Sequence, residues 1–213
     1  MVEQLKSSPI VPVFYHSELE NARQIVAACF AAGLRFFEFT TRGKEALAVF
    51  AELVVFSREH CPGLSLGIGT IYTAAEAEQF LAAGADFVVQ PVTTDAVGAV
   101  CRDHSKPWIP GALTPNEIWT AWQSGASVVK LFPGNSIDPD YIRALRGPMP
   151  NVPFLVTGGV EPAADSINEW LDAGVQAVGI GSKLFQGAFS SDFPALTRHI
   201  AGLLKAVRKP STW

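Results

Sequence analysis

The sequence is short of several things. Cysteine occurs three times, at Cys29, Cys61 and Cys101, an odd number without C-x-x-C spacing. That argues against a disulfide framework, and the three read as reduced thiols of a cytoplasmic protein. Charged residues make up only 17% of the chain, its lysines and arginines are scattered, and the net charge is −4. Neither a nucleic-acid backbone nor an anionic membrane is invited as a partner. No window approaches the roughly 18 uncharged apolar residues of a membrane span. Residues 1–14 (MVEQLKSSPIVPVF) lack the charged start and long apolar core of a signal peptide. The four histidines, His16, His60, His104 and His199, show no H-x-H or H-E-x-x-H spacing, so no metal ligand set is expected. No serine sits in G-x-S-x-G, and no cysteine has an identifiable histidine partner.

What is present is regular. The 213 residues are 48% hydrophobic, enough for one sizeable core and short for two. One pattern recurs: AAGLRFFE at 31–38, AAGADFVV at 82–89, QSGASVVK at 123–130 and DAGVQAVG at 172–179. Each puts a glycine just after an apolar-periodic helix and then opens a short β-branched or aromatic run. Glycine is the expected left-handed residue closing a helix. Gly33, Gly84, Gly125 and Gly174 recur every 41 to 51 residues, twice the length of a strand–helix unit of about 25 residues. Further strands fall between them, at IVPVF (10–14), LSLGIG (64–69), PWIPG (107–111) and VPFLVTG (152–158). T-A-A-E at 73–76 and T-P-N-E at 114–117 are capping boxes, and Asp138-Pro139 marks a third helix start.

Eight strands alternating with eight principal helices imply a parallel sheet with helices outside. The leading architecture is a single (β/α)8 barrel occupying residues 1–213, near the lower size limit of that fold. An open doubly wound sheet is the rival. It loses its main support because G-I-G-T-I-Y at 67–72 misses the third glycine of the dinucleotide fingerprint.

Against that frame S-V-V-K-L-F-P-G at 127–134 is anomalous, since lysine is rarely buried. Strand alternation puts Val128, Lys130 and Phe132 on one face, and Phe36, Glu38 and Thr40 on one face of the second strand. If both faces point inward, a lysine and a glutamate enter the barrel mouth from roughly opposite sides. A buried ion pair, or a lysine snorkelling to the rim, is the structural alternative. Thr157-Gly158-Gly159 closes the seventh strand, and Gly179-Ile180-Gly181-Ser182 the eighth. Loops after those two strands are the common phosphate site of this barrel, where small residues let backbone N–H groups reach an anion. Thr70 ends the third strand, and Arg42, just past the second, suits a carboxylate. An amine, a carboxylic acid and two anion subsites suggest carbonyl chemistry through a Schiff base, with lysine attacking as the neutral amine and Glu38 moving protons.

In these residues the chain resembles the 2-keto-3-deoxy-6-phosphogluconate and 4-hydroxy-2-oxoglutarate aldolase family, the small class I pyruvate aldolases. The likeness runs in order through VPV (11–13), EFTTR (38–42), GIGT (67–70), Pro91, VKLFP (129–133), TGG (157–159) and GIGS (179–182). The resemblance implies a (β/α)8 barrel, usually a homotrimer, with no metal and no cofactor. It implies a lyase splitting a 2-keto-4-hydroxy acid sugar into pyruvate and an aldehyde. By the same likeness Lys130 would form the Schiff base and Glu38 act as general acid and base. Arg42 and Thr70 would hold the pyruvate carboxylate, Thr157 line the pocket, and Pro91 and Phe132 shape it. Gly158, Gly159, Gly181 and Ser182 would bind phosphate. The chain departs from the family at Gly134, where alanine is frequent, at Gln90 before Pro91, where serine is common, and at Tyr15-His16, where many members carry a basic residue. These leave the reaction class standing and put the aldehyde half in question. The galactonate epimer of the substrate is one alternative, although Thr40 favours the gluconate type. Phosphosugar isomerisation and a non-catalytic sugar-phosphate binding barrel are the alternatives of another class.

Overall fold

A computed structural model describes residues 1–186 and 192–208 of the chain. The expected domain also includes 187–191 and 209–213, which lie outside the described residues. Strand segments are β1 (Ile10–Phe14), β2 (Phe36–Thr40), β3 (Ser65–Gly69), β4 (Val88–Val89), β5 (Trp108–Ile109), β6 (Gly111–Ala112), β7 (Val129–Leu131), β8 (Phe154–Thr157) and β9 (Ala177–Ile180). Helices are α1 (Val2–Ser7), α2 (Leu19–Ala31), α3 (Ala46–His60), α4 (Ala74–Ala82), α5 (Asp95–Asp103), α6 (Pro115–Gln123), α7 (Pro139–Arg146), α8 (Ala164–Ala173) and α9 (Phe193–Ala206).

All strand pairings are parallel, in the order β5-β4-β3-β2-β1-β9-β8-β7-β6. The two ends of that order, β5 and β6, are consecutive in the chain and separated by Pro110 alone. They are halves of one stave. Proline has no N–H to give a neighbour, so the stave breaks there, while the Pro110 carbonyl still accepts from the Lys130 N–H at 2.8 Å. The chain is therefore a single (β/α)8-type barrel, its eight staves made from nine segments among the described residues.

Alternation along the staves sorts the apolar residues into two cores. Phe37, Phe39, Val129, Leu131 and Val156 point outward, into the layer shared with the helices. Val11, Phe36, Phe87, Val89, Ile109, Val128, Leu155 and Ala177 point inward and fill the barrel. Leu5 of α1 belongs to that inner cluster and is fully buried, with Met1 and Val2 packed against it. Helix α1, not foreseen from the sequence, thus plugs the N-terminal mouth. Full burial of one leucine contributes about 2 kcal/mol. The other mouth is where the polar residues lie.

The helix ends follow the sequence pattern. Gly33, Gly84, Gly125 and Gly174 all take positive φ. Each sits in a paired turn in which the next residue's N–H reaches back to the helix, as Leu34 N does to Cys29 O at 3.1 Å. Both capping boxes form, and Asp138 caps α7. A fifth turn of this kind ends α5, with Lys106 N bonded to Cys101 O at 2.8 Å, but Ser105 occupies the left-handed position at φ 53°. A side chain there costs about 1–2 kcal/mol, partly offset by glycine's larger entropy loss on folding. Ser105→Gly is expected to stabilise the protein by roughly 0.5–1 kcal/mol, read as a higher urea midpoint at unchanged slope.

Candidate active site

Lys130 and Glu38 are both turned into the barrel, four staves apart across the ring. Their side chains are 6% and 2% exposed, and Nζ lies 3.6 Å from Glu38 Oε1. That is longer than the roughly 2.8 Å of a charge-assisted hydrogen bond, so the two heads face each other without closing. Removing two charges from water offsets most of what their attraction returns, and an apolar pair of similar size is often as stable or more so. Stability alone is a poor reason for this pair. The Lys130 ammonium also lies 5.1 Å from the Phe132 ring centroid.

Glycines make the room. A Cβ on Gly69, the residue of β3 in register with Thr40, would come within 1.9 Å of Glu38 Oε1. A Cβ on Gly179 of β9 would sit 2.3 Å from Thr157 Oγ1. Thr157 is 8% exposed, and its hydroxyl has no hydrogen-bond partner among the described residues. An unpartnered buried hydroxyl is costly, and it belongs to the same inner surface as Lys130. Thr40 is buried, with its hydroxyl 3.5 Å from the Phe14 carbonyl.

Thr70 follows Gly69 with φ at 66°, an unusual place for a β-branched residue and a mark of an over-determined loop. The Thr41 hydroxyl holds the Thr70 carbonyl at 2.9 Å. Arg42 comes next and is exposed, and no hydrogen bond or ion pair engages its guanidinium among the described residues. Pro91 and Phe132 line one cleft of about 430 Å³ at the C-terminal ends of the staves, with Thr93 and Glu117. Gly158, Gly159, Gly181 and Ser182 line another, of about 170 Å³. Ser182 opens a short 3-10 helix, Ser182–Phe185. The expected residues thus gather at one mouth in three groups: the Lys130–Glu38 centre, the Pro91–Phe132 cleft and the glycine cleft. Arg42 is exposed just past β2, and no hydrogen bond or ion pair ties it to any of the three.

Gln90 is fully buried on the outer side of the barrel, away from the centre. Its Oε1 accepts from Trp108 Nε1 at 2.8 Å, and its Nε2 donates to the Ile71 carbonyl at 3.2 Å and to Thr94 Oγ1 at 2.9 Å. It ties β5, the loop after β3 and the start of α5 together. Lys183, which lines the glycine cleft and pairs with Glu161, was missed in the sequence although it directly follows G-I-G-S. The three cysteines are buried and free, and burial pushes the Cys101 thiol up to about 12. No group of three or more metal-ligating side chains occurs among the described residues, and no described helix is long and apolar enough to cross a membrane.

Comparison with known proteins adds a consistent picture. Residues 1–198 match the aldolase family described as KDPG and KHG aldolase. A 2-dehydro-3-deoxy-phosphogluconate aldolase of Treponema pallidum is 36% identical over 159 residues, 74% of each chain. A 2-dehydro-3-deoxy-6-phosphogalactonate aldolase of Escherichia coli is 29% identical over 68% of this chain and 69% of its own. The solved KDPG aldolase of Legionella pneumophila, with pyruvate captured as a covalent carbinolamine intermediate, superposes with a TM-score of 0.80. It is 27% identical and covers 97% of both chains.

Proposed function

The chain belongs to the KDPG and KHG aldolase family, and from that premise we propose that it is a class I aldolase cleaving 2-keto-3-deoxy-6-phosphogluconate to pyruvate and glyceraldehyde 3-phosphate. Cleavage of 4-hydroxy-2-oxoglutarate to pyruvate and glyoxylate is the same chemistry on a shorter substrate. The observation that carries the reading is one dry amine, Lys130 Nζ, 3.6 Å from a buried carboxylate inside the barrel.

In this reading the neutral Lys130 amine adds to the C2 carbonyl. The resulting carbinolamine loses water to give an iminium. Glu38 takes the proton of the 4-hydroxyl, the C3–C4 bond breaks and the aldehyde departs. The electron pair left on C3 runs into the iminium nitrogen as an enamine, so the imine is the electron sink and no metal or cofactor is part of the proposal. Glu38 returns the proton to C3, and water releases pyruvate and the free amine. Arg42 and Thr70 hold the carboxylate, a role supported by a guanidinium with no partner within the described chain. Pro91 and Phe132 shape the site, and Thr157 offers the substrate its unpartnered hydroxyl. Gly158, Gly159, Gly181 and Ser182 take the phosphate. The protein is read as cytoplasmic and homotrimeric, the latter resting on the family resemblance and checked by sedimentation.

The higher identity to the gluconate-type relative favours that epimer over the galactonate one. The test is borohydride reduction in the presence of pyruvate, followed by intact mass and peptide mapping. A pyruvate-derived adduct on Lys130 is expected. A phosphosugar isomerase or a binding barrel would form none, and that result would end the proposal.

A further inference from the structure

The glycine cleft is lined by small residues and, among the described residues that line it, by one cation, Lys183. Lys183 lies in the 3-10 helix that follows β9, whereas its partner Glu161 lies in the loop between β8 and α8. The ion pair therefore ties together the two loops whose glycines form the cleft. Both side chains are about half exposed, at 48% and 55%. Such a pair is weakly held, because both heads remain solvated whether it forms or opens. A phosphate monoester near neutral pH carries close to two charges and three acceptor oxygens, and it competes well for an ammonium held by one solvated carboxylate.

We propose that Lys183 is the phosphate-recognising cation of this chain, and that Glu161 is the placeholder anion which the substrate's phosphate displaces. The inference rests on the aldolase reading and deepens it. The glycines admit any small anion, and the exchange of partners on Lys183 makes the site select phosphorylated substrates over unphosphorylated ones. Glu161 sets the strength of that selection by competing for the same ammonium. The alternative is a clip, in which the pair only pins two loops and has no ligand.

The two readings separate in steady-state kinetics on 2-keto-3-deoxy-6-phosphogluconate and on 4-hydroxy-2-oxoglutarate. Lys183→Met is expected to raise KM for the phosphorylated substrate about tenfold with little change in kcat, the pattern of lost binding common to ground and transition states. The unphosphorylated substrate should shift by less than about twofold. Lys183→Arg should restore most of the loss, because the guanidinium also pairs with phosphate. Glu161→Gln removes the competitor while keeping its shape, so KM for the phosphorylated substrate should fall about two- to threefold, and this gain should vanish in a Lys183→Met background. A clip predicts equal losses on both substrates from either variant, and that outcome overturns the inference. An unchanged substrate ratio in Lys183→Met also overturns it, provided wild-type protein traps pyruvate on Lys130. Absence of that trapping would remove the aldolase reading itself, and this inference with it.

Discussion

Lys130→Ala should give no borohydride-trapped pyruvate adduct and lose about 10⁴-fold or more in turnover, the scale seen when a covalent nucleophile is removed. The reasoning starts from geometry. The Lys130 N–H is fixed to the Pro110 carbonyl at 2.8 Å, and the β7 register to β8 turns its side chain inward. Val129 and Leu131 on either side are buried against the helices, so rotating Lys130 outward would drive both into the barrel. Among the described residues every other lysine is partly or fully exposed, Lys183 and Lys106 being paired with Glu161 and Asp86. A second amine cannot take over without moving a stave. Alanine would also leave Glu38 buried without its cation, a change that can cost about 3–5 kcal/mol. Lys130→Met with Glu38→Gln removes both charges at similar volume and shows whether loss of adduct is loss of chemistry or loss of fold. A wild-type rate in Lys130→Ala, or an adduct mapping to a different lysine, would sink the assignment.

Why the amine could be found in the sequence, and other features could not, has a physical answer. Inward and outward residues alternate strictly on a barrel stave, so Lys130 between Val129 and Leu131, and Glu38 between Phe37 and Phe39, declare their side as soon as the strand is recognised. The left-handed glycines were equally plain because few other residues tolerate positive φ. Ser105 escaped notice for the converse reason: it adopts that conformation in a residue type that gives no signal. The break of the fifth stave at Pro110 depends on which neighbour needs an N–H, and α1 on the shape of a mouth that only the closed barrel creates. Gln90 stands out in the sequence only as a departure from the serine that is common before Pro91 in the family. Its bracing role depends on partners contributed by β5 (Trp108), the loop after β3 (Ile71) and the start of α5 (Thr94). The Lys183–Glu161 pair likewise joins residues 22 positions apart that no local pattern links.

Glu38→Gln should separate adduct formation from proton transfer, and the effect should be large. Amide cannot take the proton of the 4-hydroxyl or return one to C3, so kcat for cleavage is expected to fall about 10²–10⁴-fold, the usual contribution of a positioned general base. The amine remains in place, so borohydride should still trap pyruvate, although more slowly. A second readout isolates the C3 step: exchange of the pyruvate methyl protons into deuterated water requires the enamine, and it should slow in parallel with cleavage. Gly69→Ala tests the same carboxylate without touching it. Its Cβ would lie 1.9 Å from Glu38 Oε1, a contact that the buried carboxylate can relieve only by moving. Displacement of about 1 Å in a catalytic group can cost on the order of 100-fold, so Gly69→Ala should show retained trapping with slowed exchange. If methyl exchange runs at the wild-type rate in Glu38→Gln while cleavage is lost, the proton at C3 is carried by another group. Glu38 would then be a partner of the lysine and not the base.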